Sequence, residues 1–103
     1  MKTRRETLEE FVFADPNDSF SRYALALELE KEGRAQDAVS QLREVIARDH
    51  SLVAAYYQLG RLLAKTGFVE EARDAYRRGL DAARAANDQR TLREMNEALE
   101  MLE

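Results

Sequence analysis

Apolar residues recur along the chain with the three- and four-residue spacing of amphipathic helices. Leu25 and Leu29 lie four residues apart, as do Leu59 and Leu63, so each pair shares one face of a helix. Alanine, leucine, glutamate and arginine dominate the stretches between these positions, and there is no run of β-branched residues. The pattern therefore predicts an all-α protein.

The pattern repeats after 34 residues, so that residues 19–52 align with residues 53–86. Seven aligned positions are identical, and they include helical core positions, not only scattered surface ones. The identical pairs are Tyr23/Tyr57, Leu25/Leu59, Leu29/Leu63, Lys31/Lys65, Gly33/Gly67, Ala38/Ala72 and Arg43/Arg77. Such a period predicts stacked copies of one supersecondary unit.

Each repeat has the residues that a helical hairpin requires. Gly33 and Gly67 follow the first helices, where a residue with positive φ can close the last turn. Small residues on both helices of each hairpin, which allow the backbones to approach closely, are Ala26, Ala38, Gly60 and Ala72. The second helices carry the apolar residues Ala38, Leu42, Val45 and Ile46 in the first unit, and Ala72, Tyr76 and Leu80 in the second.

These spaced residues resemble the signature of the tetratricopeptide repeat family. In the second unit the matching residues are Tyr56, Leu59, Gly60, Leu63, Gly67, Ala72, Tyr76 and Leu80. In the first unit they are Leu25, Ala26, Leu29, Gly33, Ala38, Leu42 and Ile46, but Arg22 stands where a large apolar residue is usual. Gly79 replaces the usual alanine, which costs about 1 kcal/mol unless close packing demands it. The resemblance implies a right-handed superhelix of antiparallel helix hairpins.

The segments on either side of the repeats complete this architecture. Residues 3–14 read as a lone second helix, with Thr3 and Glu6 as a possible capping box and Leu8, Phe11 and Val12 as its apolar stripe. Residues 88–102 read as a capping helix, because Leu92, Met95, Leu99 and Leu102 lie on one face. We therefore expect one domain over residues 1–103 with six helices: a half-repeat in 1–16, repeats in 19–52 and 53–86, and a capping segment in 87–103. Met1 and the helical ends weigh slightly toward a whole protein, and an excised domain stays open.

Composition narrows the functional classes. The chain has no cysteine, which excludes disulfides and thiolate metal sites. Its net charge of -4 argues against nucleic-acid binding, and no apolar run is long enough to span a membrane. A cytoplasmic location fits these features, although a removed signal peptide would leave the same sequence.

Candidate catalytic chemistry is sparse. The single histidine, His50, lies in the turn between the repeats, and we expect it to face solvent. The many carboxylates, such as Glu70 and Glu71, lie near Lys or Arg on outward helix faces. We therefore expect neither an enzyme nor a bound cofactor or metal.

A binding role is the remaining expectation, because first helices line the concave side of such stacks. The face not used for packing is predicted to form a peptide-binding groove that has aromatic and apolar residues with a basic margin. Its predicted residues are Phe20, Tyr23, Ala24, Leu27 and Lys31 in the first repeat, and Ala54, Tyr57, Gln58, Arg61 and Lys65 in the second. An alternative is that Phe20, Tyr23 and Leu27 only pack against flanking helices, or that the last helix covers the groove.

The residues of the predicted groove also bear on which partner the chain binds. One subset of the resembling family binds the C-terminal carboxylate of chaperones, but Tyr23, Leu27 and Gln58 stand at the positions that would do so, which argues against that partner. Self-association is the competing function, because two repeats are few for an independently stable stack and exposed apolar residues could be buried in a homodimer. The identity of the partner does not follow from the sequence.

Overall fold

The computed structural model describes residues 1–102, and within them it contains six α-helices and no β-strand. The helices are α1 (Arg4–Ala14), α2 (Ser19–Lys31), α3 (Ala35–Arg48), α4 (Val53–Lys65), α5 (Val69–Ala85) and α6 (Gln89–Met101). None of these six helices has both the length and the apolar character needed to span a bilayer. The prediction of an all-α chain of six helices is confirmed.

The helices form two compact units, the first from Met1 to Asp49 and the second from His50 onward. In the first unit, α2 packs against both α1 and α3. In the second unit, α5 packs against both α4 and α6, and α6 also contacts α4. The organisation of residues 1–103 as a single domain stays a prediction.

Three helices end in the same hydrogen-bonded turn. Gly33 (φ +79°) follows α2 and Gly67 (φ +93°) follows α4, as the sequence predicts. Asn87 (φ +56°) has the same role after α5, where the amide of Asp88 donates to the carbonyl of Ala83 at 2.8 Å. Asparagine tolerates positive φ better than other residues with a Cβ, so this turn closes without a glycine.

The first helix begins with the predicted capping box. The amide of Thr3 donates to the Glu6 carboxylate at 3.0 Å, and the amide of Glu6 donates to the Thr3 hydroxyl at 3.1 Å. Of the predicted apolar stripe, Leu8 is buried and Val12 is half-buried, but Phe11 is 51% exposed. Phe11 therefore does not belong to the core, because helical spacing fixes only the direction of a side chain and not whether a neighbour covers it.

Aspartates cap two other helices. The Ser21 hydroxyl and amide donate hydrogen bonds that lower the pKa of the Asp18 carboxyl. The Thr91 amide and hydroxyl lower the pKa of the Asp88 carboxyl in the same way. Both carboxylates therefore stabilise helix starts in their charged form.

Glycines allow close helix contacts inside the second unit. A Cβ on Gly79 would lie 2.7 Å from the Tyr56 Cβ and closer still to the Met95 sulfur. A Cβ on Gly60 would lie 2.5–2.7 Å from the Tyr76 ring. Gly79 is therefore required by close packing, and the space beside Gly60 is filled by an aromatic ring and not by small residues alone.

Arg22 and Tyr56 occupy equivalent positions in the two repeats and make equivalent hydrogen bonds. The Tyr56 hydroxyl donates to the carbonyl of His50 at 2.8 Å. Arg22 is 8% exposed, and its Nη2 donates to the carbonyl of Pro16 at 3.1 Å while its Nη1 donates to Gln41 Oε1 at 2.9 Å. The buried arginine thus reaches the turn before its helix, as the tyrosine of the second repeat does.

Candidate binding faces

The predicted site residues of the second repeat lie along one side of α4. The opposite side of this helix is buried in its unit and includes Tyr56, Leu59, Gly60 and Leu63. On the outward side, Ala54 and Lys65 are exposed, while Tyr57, Gln58 and Arg61 are half-buried. We call this outward side the α4 face; it consists of Ala54, Tyr57, Gln58, Arg61 and Lys65.

Tyr57 and Arg61 are held in place by neighbouring side chains. The Tyr57 ring is 6.1 Å from the Tyr76 ring, centroid to centroid, at an angle of 51°. Gln58 Oε1 accepts two hydrogen bonds from Arg61, at 2.9 Å from Nε and 2.7 Å from Nη2. Burial raises the pKa of the Tyr76 hydroxyl above its ordinary value. The α4 face therefore presents a fixed aromatic ring beside a fixed guanidinium.

The predicted site residues of the first repeat lie along one side of α2, which we call the α2 face: Phe20, Tyr23, Ala24, Leu27 and Lys31. Tyr23, Ala24 and Leu27 are half-buried, and Phe20 is 75% exposed. Phe20 is therefore not covered by a flanking helix, while the alternative that Tyr23 and Leu27 only pack against flanking helices stays open. The Lys31 ammonium lies 3.3 Å from Glu28 Oε1, which is also 3.0 Å from Arg4 Nε, so a carboxylate compensates part of its charge.

The last helix leaves the α4 face accessible within the second unit. Met95 of α6 is fully buried beside Gly79, while Leu92 and Leu99 on the same helix are half-buried. Although α6 contacts α4, Tyr57 and Arg61 keep partial exposure. The capping helix thus packs its apolar side against the core of this unit and does not bury the α4 face.

Reactive side chains are dispersed in the part of the chain that the structure describes. Residues 1–102 contain no group of three or more His, Asp or Glu side chains that could hold a metal ion. His50 is exposed, as expected. Carboxylates such as Glu70 form ion pairs with arginines along their own helices, here with Arg73.

One concave site consists of residues that the sequence pattern does not predict as a site. A cleft of about 320 Å³ in the second unit is lined by His50, Tyr56, Arg78, Asp81, Ala82 and Ala85. The signal that could have revealed it is a pair of differences between the repeats: Arg78 and Ala82 stand where the first repeat has Glu44 and Arg48. Both differences lie outside the positions that define the hairpin, so a search for similarity between the repeats passes over them.

Comparison with known proteins decides the family. The sequence model of the tetratricopeptide repeat family matches residues 2–83 of this chain. The chain belongs to the tetratricopeptide repeat family. The match begins before α1, so the family pattern includes the half-repeat as well as both hairpins.

Solved structures agree with the tetratricopeptide repeat fold. A tetratricopeptide repeat domain protein from Salinibacter ruber, solved by NMR in solution, is 36% identical with a TM-score of 0.81, and the alignment covers 86% of this chain and 90% of that one. PcrH in complex with the chaperone binding region of PopD is 12% identical (TM-score 0.88; 95% and 74% covered). The complex of the TPR2B domain of yeast Sti1 with pHsp70 is 16% identical (TM-score 0.88; 95% and 78% covered). No curated protein is significantly similar to the chain.

Proposed function

We propose that this chain is a non-enzymatic module that binds a peptide or partner protein through the α2 face and the α4 face. Membership of the tetratricopeptide repeat family supports this role. So do two structures of the same fold, PcrH and yeast Sti1, which carry a bound region of PopD and pHsp70 respectively. A cytoplasmic location belongs to the same proposal.

The arrangement of Tyr57 and Arg61 is the observation that carries this proposal. Tyrosine and arginine are enriched among the residues that dominate binding energy at protein interfaces. Because Tyr76 and Gln58 already restrict these two side chains, less conformational entropy is lost when a partner orders them. Arg61 and Lys65 add positive charge, which favours a peptide that combines apolar and acidic residues.

Selection from a displayed peptide library tests the proposal without knowledge of the natural partner. We expect the immobilised chain to enrich peptides with acidic and aromatic or aliphatic residues. Synthesised versions of these peptides, titrated by calorimetry, should lose about tenfold or more in affinity with Tyr57→Ala or Arg61→Ala, because each removes a central contact. Both variants should stay folded in thermal unfolding, with Arg61→Ala nearly unchanged and Tyr57→Ala lowered by about 1 kcal/mol because the ring contact with Tyr76 is lost.

Two substitutions elsewhere on the surface serve as matched controls. Arg77→Ala removes an exposed arginine of α5, and Phe13→Ala removes an aromatic ring of α1 that is 89% exposed. Neither belongs to the α2 face or the α4 face, so both should leave affinity unchanged. Enriched peptides that bind Tyr57→Ala and Arg61→Ala as tightly as the unmodified chain would refute the proposal.

Self-association is a second candidate, favoured by the exposed aromatic residues of the first unit. Phe11, Phe13 and Phe20 are 51%, 89% and 75% exposed, and all lie in α1 or the start of α2. Burial of such exposed rings against a second copy would remove apolar surface from water. Size-exclusion chromatography with light scattering separates the two candidates: a stable dimer that Phe13→Ser and Phe20→Ser dissociate favours assembly, and a concentration-independent monomer excludes it.

A further inference from the structure

A cleft in the second unit lies apart from the α4 face. It is bordered by the turn before α4 and by the C-terminal half of α5, and we call it the α5 cleft. Its six lining residues are His50, Tyr56, Arg78, Asp81, Ala82 and Ala85. A smaller cavity of about 190 Å³ adjoins it and shares His50, Ala82 and Ala85. Tyr56 and Tyr57 are neighbours on α4, and successive helical side chains point about 100° apart, so the cleft and the α4 face are separate surfaces.

The α5 cleft combines an apolar floor with a fixed cationic side chain. Ala82, Ala85 and the Tyr56 ring provide the apolar surface. The Arg78 guanidinium carbon lies 5.7 Å from the centre of the Tyr56 ring, within the range of a cation–π contact. The hydrogen bond from the Tyr56 hydroxyl to the His50 carbonyl fixes both this ring and the turn that forms the opposite wall.

The charge of Arg78 is not compensated by a carboxylate of the cleft. Asp81, the one acidic residue among the lining residues, lies 3.2 Å from Arg84 and is directed to it. Among residues 1–102, Arg78 is in no ion pair and the His50 ring in no hydrogen bond. The cleft therefore offers a guanidinium, with an imidazole nearby, above a surface that water solvates poorly.

The first repeat shows what happens at the same place when the residues differ. There Arg48 stands at the position of Ala82, and Glu44 stands at the position of Arg78. Arg48 Nε lies 2.6 Å from Glu44 Oε1, and its Nη1 donates to Asn17 Oδ1 at 3.0 Å, so one side chain connects the helix to the turn. In the second repeat Ala82 leaves this space open, and the acidic residue beside it is replaced by a basic one.

We propose that the α5 cleft binds a carboxylate that carries a compact apolar group. The guanidinium of Arg78 would pair with the carboxylate, with bidentate geometry available to it. The apolar group would lie against Ala82, Ala85 and the Tyr56 ring. A volume of about 320 Å³ is near the lower end of ligand sites, which suits one aromatic or aliphatic group. This site does not depend on the peptide binding proposed for the α2 and α4 faces.

Titration of the ¹⁵N-labelled chain, followed by NMR, tests the chemistry of this site. The probes are 3-phenylpropionate and N-acetyl-leucyl-phenylalanine with a free carboxylate, each compared with its own amide. We expect the acids to shift the backbone amide signals of His50, Arg78, Ala82 and Ala85 saturably, and the amides to bind about tenfold or more weakly because they lack the charge. The acid that binds more tightly identifies the source as a free small acid or a peptide terminus.

Three variants localise the binding. Ala82→Arg introduces the residue of the first repeat and should close the cleft, and Arg78→Gln removes the charge while keeping a polar side chain. Each of these two variants should bind the acids about tenfold or more weakly than the unmodified chain does. Arg77→Gln loses the same charge from the next residue, which is exposed and does not line the cleft, and should bind as the unmodified chain does.

Shifts that do not saturate, equal binding of acids and amides, or unchanged binding by Arg78→Gln would overturn the proposal. Circular dichroism checks that each variant stays folded. If Ala82→Arg does not fold, the comparison of Arg78→Gln with Arg77→Gln decides the outcome, because both side chains are exposed on α5.

Discussion

The substitution Gly79→Ala tests the packing of the second unit, because two physical effects predict opposite results. Gly79 lies in the interior of α5, where alanine is favoured over glycine by about 1 kcal/mol. A new Cβ, however, would lie 2.7 Å from the Tyr56 Cβ and 2.9 Å from the Met95 Cε, and closer still to the Met95 sulfur. Carbon atoms in optimal contact are about 3.5–4.0 Å apart, so at least one of these groups must move.

The structure decides which effect is larger. The obstructing atoms of Met95 are the end of a flexible side chain and can rotate aside, but the Tyr56 Cβ is bonded directly to the backbone of α4 and cannot move without shifting that helix. Overpacking of a core typically costs about 1–3 kcal/mol, and the rigid Tyr56 contact places this case in the upper part of that range. After the gain in helix propensity is subtracted, we expect Gly79→Ala to lower the free energy of unfolding by about 1–2 kcal/mol. For a chain of this size the Tm should fall by roughly 5–15 °C.

Urea unfolding followed by circular dichroism measures this change. Ser40 is exposed inside α3 and serves as a reference. The difference in stability between Ser40→Ala and Ser40→Gly measures the helix propensity of alanine over glycine where no packing changes. The loss from Gly79→Ala should also be smaller in a Met95→Ala background, because one of the two obstructing side chains is then absent. If Gly79→Ala stabilises the chain by as much as the Ser40 comparison, the close contact between α5 and Tyr56 of α4 is wrong.

Three further predictions concern the hairpin turns and helix caps. Arg22→Tyr should leave the urea midpoint unchanged or raise it. A tyrosine can donate to the Pro16 carbonyl as Tyr56 does to the His50 carbonyl, and the substitution removes a buried arginine whose Nε has no hydrogen bond. A clear loss of stability would contradict this prediction. Asn87→Ala should lower stability by about 1 kcal/mol while Asn87→Gly should not, since only the alanine is strained at positive φ; equal effects in urea unfolding would contradict it. Hydrogen bonds from Thr91 lower the pKa of Asp88 in the folded state. The contribution of this carboxylate to the free energy of unfolding is therefore complete above the unfolded pKa, near 3.9, and is lost as the pH falls through the folded pKa. Between pH 5 and about pH 2, the urea midpoint should therefore fall less in Asp88→Asn than in the unmodified chain.

The sequence was sufficient to predict the helices and most of their ends, because these depend on neighbours in the chain. The spacing of Leu25 and Leu29, the glycine at Gly33 and the capping box at Thr3 are local signals of this kind. Asn87 was missed because a search for glycine overlooks the other residue that tolerates positive φ.

Exposure and concavity could not be predicted in the same way. Phe11 has the spacing of a core residue, but its exposure depends on whether another helix covers that side of α1. The α5 cleft depends on the small side chain of Ala82, and its effect becomes apparent only when the structure shows Arg48 in the equivalent space of the first repeat. Both features depend on contacts between segments distant in sequence, and the spacing of apolar residues along the chain carries no information about such contacts.

The two repeats differ in charge at a position that packing does not constrain. Two leucine pairs and the glycines that follow the first helices are shared, because a substitution there disturbs the hairpin, as the buried leucines at positions 29 and 63 illustrate. By contrast, the change from Glu44 to Arg78 reverses the charge at a surface position without cost to the fold. Because selection on folding alone does not require such a reversal, the positions where the repeats differ in charge and size are where a binding function specific to one unit can reside. On this argument the α5 cleft is a better place than the shared hairpin positions to search for what distinguishes this chain from other tetratricopeptide repeats.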